Sequence, residues 1–240
     1  MLTEGAVAHI VNNKENGVAI YGMYVVSPLL WGIHTGAKNS ETVKCVDDLK
    51  DMTYAISRYG SGSHLMAFVD AKKRGCNTSA LKFHVVGSLN GSRQALKDGS
   101  ADIWMWEKFT TKWLVDSGEY LRVGVVETPW PCFCICVSPQ TQKDPVKMAA
   151  LEKVVQTVQE RALQFKNGGE ETIQYLMEKY KMLKDDAIEW LHDVSWSGCC
   201  REVDGNVLEL VKSTLLDLNI ISEDLANESI VAEGTTITSK

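Results

Sequence analysis

Short apolar stretches alternate with polar, helix-forming stretches along the first half of the chain. Residues 18–26 and 29–33 are rich in branched and aromatic side chains and predict strands. Further strands are predicted at residues 53–57, 82–86, 101–104 and 121–127, with helices between them, including one that begins at Ser63 and ends near Arg74-Gly75. This alternation predicts an α/β fold with a largely parallel sheet.

The second half of the chain is predicted to be helical. Asp144 suits a helix cap and Pro145 the first helical position. Apolar residues then recur at helical spacing, at Val146, Ala150, Leu151, Val154, Val155, Val158 and Leu163. Three more helices are predicted at residues 170–180, 185–192 and 203–217, followed by a polar tail from Ser222 that is expected to be frayed.

The first residues predict a helix, with Thr3 as a candidate cap and Glu4 in the first turn. An α/β sheet usually starts with a strand, and no strand pattern precedes this helix. We therefore expect that the chain is truncated at its N-terminus and lacks a portion of roughly 50–70 residues, since a βαβ unit takes about 30 or more.

Composition narrows the class of partner. The net charge is −6 and no basic run stands out, so nucleic-acid binding is not expected. The most apolar stretch, residues 18–33, is broken by Gly22 and by Ser27-Pro28, which predicts buried strands and not a membrane span. The N-terminus lacks the pattern of a signal peptide. A small molecule is the expected partner, and the oligomeric state is left open.

The cysteines favour a reduced, cytoplasmic setting. Their number is odd, and no CxxC pair appears in the set Cys45, Cys76, Cys132, Cys134, Cys136, Cys199 and Cys200. Three of them alternate with Phe133 and Ile135 on a predicted strand, where small buried core residues are the favoured interpretation. Neither a metal site nor a cofactor is predicted.

A loop of small residues, Gly60-Ser61-Gly62-Ser63, leads from a predicted strand into the helix that contains His64. A helix start has free N–H groups and the positive end of the helix dipole, which together favour an anion. Two interpretations are open here: an ordinary serine-capped helix, or a ligand site. His64 is expected to be a neutral ring, because the dipole disfavours its protonation.

Two further blocks carry candidate chemistry. The strand at residues 101–104 continues to Trp106 and Glu107, and ligands of open α/β sheets bind beyond the carboxyl ends of strands. Trp104 and Trp106 face the same side, so core packing accounts for at least one of them. Thr128-Pro129-Trp130-Pro131 predicts a hinge or domain crossing, in which Trp130 either packs or lines a cleft. No P-loop, GxGxxG, GxSxG or HExxH motif is present, and no catalytic residue is predicted.

These blocks, in this order, resemble the type 2 periplasmic-binding-protein fold. The resemblance is closest to its cytosolic fungal branch, the Ca3427-like proteins, and more distant to nitrate/sulfonate-binding proteins and fungal thiamine-pyrimidine synthases. The matching segments are residues 2–5 (LTEG), 27–37 (SPLLWGIHTGA), 48–50 with 58–64 (DLK and RYGSGSH), 102–112 (DIWMWEKFTTK), 116–119 (DSGE) and 128–131 (TPWP).

The resemblance implies two α/β lobes with a ligand cleft between them. Lobe 1 would comprise residues 1–35 and 133–240, without the strand–helix–strand that opens it in the family, and lobe 2 would comprise residues 36–132. The ligand-binding residues expected from the motifs and the resemblance are Thr3, Glu4, Arg58, Gly60, Ser61, Gly62, Ser63, His64, Trp106, Glu107 and Trp130.

The leading hypothesis is a non-enzymatic binding protein for a small anionic or heteroaromatic molecule, sulfonate- or pyrimidine-like, acting inside the cell. An enzyme of pyrimidine or thiamine precursor metabolism is the alternative. The synthases it resembles carry a cofactor-binding lysine and a histidine where this chain has Thr3 and Val7, and an iron motif where residues 127–131 read ETPWP, which argues against that chemistry. A third hypothesis is a truncated chain without activity.

Overall fold

The structure, a computed structural model, describes residues 1–49, 51–199, 201–226 and 229–239. Lys50 of the DLK segment and Cys200 therefore lie outside the described residues. The helices are α1 (Thr3–Asn12), α2 (Gly62–Lys73), α3 (Leu89–Asp98), α4 (Lys112–Asp116), α5 (Pro139–Gln142), α6 (Pro145–Lys166), α7 (Gly169–Tyr180), α8 (Lys184–Asp193), α9 (Gly205–Asp217) and α10 (Glu223–Ala226). The strands are β1 (Ala19–Val25), β2 (Leu30–Gly36), β3 (Thr53–Ile56), β4 (Lys82–Val85), β5 (Ile103–Glu107), β6 (Tyr120–Glu127), β7 (Phe133–Val137), β8 (Glu202–Asp204) and β9 (Thr236–Thr238).

The chain divides into two compact units, which we call unit 1 (Met1–Pro28 with Pro129–Lys240) and unit 2 (Leu29–Thr128). In the division expected from the sequence, the chain passes from lobe 1 to lobe 2 after residue 35 and returns to lobe 1 after residue 132. In the structure, it passes from unit 1 to unit 2 after Pro28 and returns after Thr128. The difference arises because β2, which includes Thr35, is hydrogen-bonded into the sheet of unit 2.

Unit 2 is built on a five-stranded sheet with the order β4-β3-β5-β2-β6. β3 runs parallel to β4 and β5, whereas β2 runs antiparallel to β5 and β6. The expectation of a largely parallel sheet is therefore corrected to a mixed sheet. β2 is buried along nearly its whole length, as a parallel strand would be, so its side-chain pattern does not reveal its direction.

Two hydrophobic clusters cover the two faces of this sheet. Ile103 and Met105 of β5 pack with Met66 of α2, whereas Trp104, between them in the strand, packs with Leu96 of α3. This is the alternation that a strand buried on both faces requires. A different helix therefore packs against each face of the sheet, and loops follow the strand ends.

Unit 1 combines a two-stranded antiparallel sheet, β1 with β7, and a parallel pair, β8 with β9, with helices. The sequence predicts a frayed tail from Ser222, but part of that tail belongs to the fold. Ile230 and Ala232 are buried, and both bond through their backbones to Ile20 of β1. Their apolar side chains stand in an otherwise polar segment, which is why composition alone predicts fraying.

α6 buries less of its apolar face than the sequence predicts. Val155 is buried among unit 1 core residues, but Val146, Val154, Val158 and Leu163 are exposed. The predicted cap is confirmed, because the Asp144 side chain accepts hydrogen bonds from the first turn of the helix. No helix among the described residues is long and apolar enough to cross a membrane.

We expect Gly36→Ala to lower the free energy of unfolding. Gly36 has an ordinary φ of −73°, but a Cβ there would stand 2.7 Å from the backbone oxygen of Leu96, which helix α3 holds in place. The expected loss is about 1–3 kcal/mol, as for other overpacked sites. Urea unfolding of the variant measures it.

Gly5→Ala is the matched control. It makes the same substitution inside α1, where the nearest atom to the new Cβ is 3.9 Å away. Because alanine favours helix, this variant should be neutral or gain up to about 1 kcal/mol. Equal stability of both variants would contradict the close packing of Gly36 against α3.

Candidate ligand-binding site

The start of α2 is a serine-capped helix at the carboxyl end of β3. The Ser61 hydroxyl donates to the Arg58 carbonyl oxygen at 2.7 Å and accepts from the His64 amide at 3.4 Å. Gly60 has a φ of +75°, a conformation that favours glycine, and it lets the chain turn into the cap. The predicted cap and its glycine are therefore both present.

A chain of hydroxyl groups stiffens this turn. Ser61 Oγ lies 3.0 Å from Ser63 Oγ, and Ser63 Oγ accepts from the Ser57 amide at 3.0 Å. Since the Ser61 hydrogen is directed to Arg58, Ser63 donates to Ser61. Ser61 and Ser63 are both buried, so these hydroxyls set the shape of the loop.

His64 is a neutral ring, as expected, and the main cause is burial. Burial lowers its pKa below the ordinary value. Its Nδ1 accepts a hydrogen bond from the Gly60 amide at 3.2 Å, so the neutral ring carries its proton on Nε2. The ring packs edge-on against Tyr59, Phe68 and Phe83.

Two kinds of donor remain for an anion at the α2 start. The amides of Gly62 and Ser63 lie in the first helical turn, where no intrahelical acceptor exists, and they have no other acceptor among the described residues. The Arg58 side chain is exposed, and its guanidinium has no hydrogen-bond or ion-pair partner in the described part of the chain. Backbone dipoles and one cation therefore point to anion chemistry here.

Trp106 and Glu107 lie at the same edge of the sheet as the α2 start, since β5 is parallel to β3 and adjacent to it. Trp106 stacks on the fully buried Trp104 with ring centroids 4.9 Å apart. Trp104 is thus the core residue of the pair, and Trp106 is the one that remains partly exposed.

The Glu107 carboxylate is already used within the chain. It accepts hydrogen bonds from the amides of Phe109 and Thr110, at 3.1 and 2.6 Å. Glu107 therefore caps the turn after β5, and the next helix, α4, begins at Lys112. A ligand contact by Glu107 would have to share oxygens that hold this turn.

In unit 1, the structure brings together Thr3, Glu4 and Trp130. The sequence predicts Thr3 as the cap of α1, but Leu2 occupies that position in the structure. The Thr3 hydroxyl instead donates to the Pro131 carbonyl oxygen at 2.6 Å, and its amide bonds to the Cys132 carbonyl oxygen. The first turn of α1 is thus fastened to the segment after Trp130.

Glu4 is a buried carboxyl group with one satisfied oxygen. Its Oε2 accepts from the indole N–H of Trp130 at 2.9 Å, and both side chains are 2 % exposed. Its Oε1 is buried without a hydrogen-bond partner among the described residues. Burial raises the pKa of Glu4, and the bond from Trp130 offsets part of that rise. Pairing across 126 residues of sequence is beyond what spacing can predict.

His34 has a larger structural role than the sequence indicates. It lies inside β2, is fully buried, and donates from Nδ1 to the Trp104 carbonyl oxygen at 3.2 Å. Its Nε2 lies 3.0 Å from the Thr111 hydroxyl, so the ring also holds the turn that follows β5. Burial, together with the Arg122 charge, lowers the pKa of His34 to about 4.

Among the described residues, no group of three or more His, Cys, Asp or Glu side chains is placed to hold a metal ion. The cysteines of the Cys132–Cys136 segment behave as small core residues. Cys132 and Cys134 are buried free thiols, and the Sγ atoms of Cys134 and Cys136 are 3.9 Å apart, as expected for residues on one strand face.

Comparison with known proteins confirms the resemblance to the Ca3427-like proteins and to the periplasmic-binding-protein fold. A family model described as Ca3427-like PBP matches residues 31–126. The chain has the periplasmic-binding-protein fold, a fold whose members bind ligands. No curated protein sequence matches it.

Among solved structures, the chain is similar to the Candida albicans CA3427 gene product, described as defining a new family with the generic periplasmic binding protein fold. The TM-score is 0.84 at 25 % identity, covering 100 % of this chain and 79 % of that one. The alkanesulfonate-binding protein SsuA from Xanthomonas axonopodis pv. citri bound to MOPS matches with a TM-score of 0.70 at 15 % identity, over 99 % and 77 % of the two chains. The aliphatic sulphonate binding protein SsuA from Escherichia coli has a TM-score of 0.66 at 14 % identity, over 98 % and 74 %.

We expect the pKa of Glu4 to appear in the pH dependence of stability. A raised folded-state pKa gives a contribution that is fully present below the unfolded value of 4.5 and is lost as the pH rises through the folded value. The stability of the unmodified chain relative to Glu4→Gln should therefore increase as the pH falls from 7 to 4.5. Urea unfolding at several pH values measures this difference, and a flat difference would contradict the assignment. Glu127→Gln, at an exposed position, is the control and should show no such trend.

His34 should change the pH dependence of stability in the direction opposite to Glu4. Its folded-state pKa of about 4 lies below the ordinary histidine value of 6.5, so its contribution to stability is present above pH 6.5 and is lost as the pH falls toward 4. Relative to His34→Gln, the unmodified chain should lose about 2 kcal/mol between pH 7.5 and pH 4.5. His192→Gln, which changes an exposed ring, is the control. A similar pH trend for both variants would show that the buried ring is not the cause.

Proposed function

We propose that this protein binds a small organic anion, of which a sulfonate is the first candidate, and that the start of α2 holds the anionic group. The observations that carry the proposal are the amides of Gly62 and Ser63, which have no acceptor among the described residues, and the exposed Arg58 side chain, whose residue lies three positions before the helix cap Ser61. The fold adds support, since two solved proteins that share it are named for binding sulfonates. We further propose that it binds without catalysis and acts inside the cell, the latter supported by free cysteines without a pairing framework.

The chemistry of the loop suits such a group. A sulfonate presents three oxygens that accept hydrogen bonds and carries one negative charge, which the helix dipole and the guanidinium both favour. The buried Ser61 and Ser63 hydroxyls keep the amides in place, so little ordering is needed on binding. Trp106, at the same edge of the sheet, offers an aromatic surface for the organic part of the ligand, and His64 offers a neutral ring.

We also propose Thr3, Glu4 and Trp130 as ligand contacts. The support is the Oε1 atom of Glu4, a buried oxygen without a partner among the described residues. Such atoms are rare in folded proteins and call for a partner. Because burial favours the protonated carboxyl group, Glu4 would donate a hydrogen bond to a heteroaromatic nitrogen of the ligand.

We expect MOPS and other alkanesulfonates to bind with an affinity that depends on the α2 start. Arg58→Gln removes the cation and Ser61→Ala removes the cap that shapes the loop, so each should weaken binding by about tenfold. Isothermal titration calorimetry of the full chain measures the affinities. Arg161→Gln and Ser79→Ala, at exposed positions elsewhere, are matched controls and should leave the affinities unchanged.

Two results would count against this proposal. One is binding that both α2 variants leave unchanged, which would place the ligand elsewhere. The other is the absence of binding by any sulfonate in the panel. Pyrimidines form a second arm of the same experiment, in which Glu4→Gln and Trp106→Ala report on the contacts proposed for a heteroaromatic ligand.

A further inference from the structure

Unit 2 contains a cavity that the proposed function does not use. Its volume is about 690 Å³, and it is lined by residues from the end of β2, from α3 and from the start of β6. Volumes of this size are typical of sites for small molecules. The lining residues that matter below are Lys38, Arg93, Lys97, Glu119 and Tyr120.

This cavity and the start of α2 lie at opposite ends of one sheet. β2 is antiparallel to β5, with Trp31 opposite Glu107 and Thr35 opposite Ile103. The end of β2 is therefore beside the beginning of β5, whereas the α2 start follows the carboxyl end of the parallel strand β3. The two features are separated by the length of the strands, so a ligand in one does not contact the other.

The cavity is positively charged in an acidic protein. Three of its four charged lining residues are basic, namely Lys38, Arg93 and Lys97, although the chain as a whole has a net charge of −6. The remaining charged residue, Glu119, is held by Arg93 through two hydrogen bonds, at 2.6 and 2.8 Å. These bonds lower the pKa of Glu119, so it stays ionised and paired with Arg93.

The pairing also fixes the guanidinium of Arg93. Its Nε and one terminal nitrogen bond to Glu119, and its central carbon lies 5.2 Å from the centre of the Trp113 ring. The second terminal nitrogen keeps its donors. A guanidinium held in this way loses little conformational entropy when it binds an anion.

The two lysines are available for a ligand. The ammonium groups of Lys38 and Lys97 have no hydrogen-bond or ion-pair partner within the described part of the chain. Asp98, the acid that interacts with Lys38 at a distance, is occupied by the amide and hydroxyl of Ser100. The Tyr120 hydroxyl is bonded to Ser92, which leaves its ring as an apolar part of the lining.

We infer that this cavity binds a small organic polyanion, carrying phosphate or carboxylate groups, through Lys38, Lys97 and the fixed guanidinium of Arg93. Two ammonium groups and one guanidinium match a ligand with at least two negative charges. The sulfonate proposed for the α2 start carries one charge and is a different ligand. The inference goes beyond the proposed function and does not depend on it.

The test uses pyrophosphate and citrate, which represent phosphate and carboxylate polyanions, with the full chain at low ionic strength. Lys38→Gln with Lys97→Gln should weaken binding by about tenfold or more, since two charge-assisted contacts are lost. Lys38→Arg with Lys97→Arg should retain most of the affinity. Lys153→Gln with Lys179→Gln, two exposed positions in unit 1, makes the same change in net charge and should have less than a twofold effect.

Amide chemical shifts in an NMR titration locate the ligand. Shifts concentrated at residues 36–38 and 93–97 would support the inference, and the relative affinities would identify the favoured anion. Shifts only at residues 60–63, equal loss in the unit 1 control, or no binding of either probe would overturn it. Because Ser61→Ala should not alter binding in this cavity, failure of the α2 proposal and failure of this inference can be told apart.

Discussion

The antiparallel pairing of β2 with both β5 and β6 is the constraint on which both candidate sites depend. It brings the end of β2 to the beginning of β5 and β6, where α3 closes the cavity around Arg93. It leaves the carboxyl ends of β3 and β5 at the other edge, where the α2 start and Trp106 are located. A one-residue change of register would turn every side chain of β2 to the other face. In the observed register, His34 is buried within β2 and bonded to the Trp104 carbonyl oxygen.

Each unit contains a buried titratable group that makes its stability depend on pH, and the two groups change stability in opposite directions as the pH rises. His34 is stable as a neutral ring and loses that advantage in acid, whereas Glu4 is favoured as a neutral carboxyl group and loses that advantage as the pH rises. The two groups lie in different units of the chain. Both are neutral in the form that the fold prefers, which is the usual solution for an ionisable group that lacks a buried counter-charge.

Local chemistry made much of this fold predictable. The serine cap of α2, the end of α2 near Arg74 and the Asp144 cap of α6 follow from residues adjacent in sequence, and they agree with the structure. The direction of β2 could not be predicted, because burial on both faces gives the same pattern in either direction. The prediction that Thr3 caps α1 was wrong, because the Thr3 hydroxyl donates to the carbonyl oxygen of Pro131, 128 residues away. The serines of the α2 start were identifiable from sequence, whereas the lysines of the cavity converge only through the sheet topology.

The two candidate anion sites would attract an anion through different interactions. At the α2 start, the donors are backbone amides and a helix dipole, both fixed by the fold, and the exposed cation Arg58 precedes the helix cap in sequence. In the cavity, the charge comes from two exposed lysines and one guanidinium held by Glu119. Interactions between exposed charges are strongly screened by salt, whereas short hydrogen bonds from positioned amides are screened less. The first arrangement therefore favours recognition of the shape of a singly charged group, and the second favours attraction of a multiply charged one. One acidic protein can thus hold two anion sites that do not compete for the same ligand.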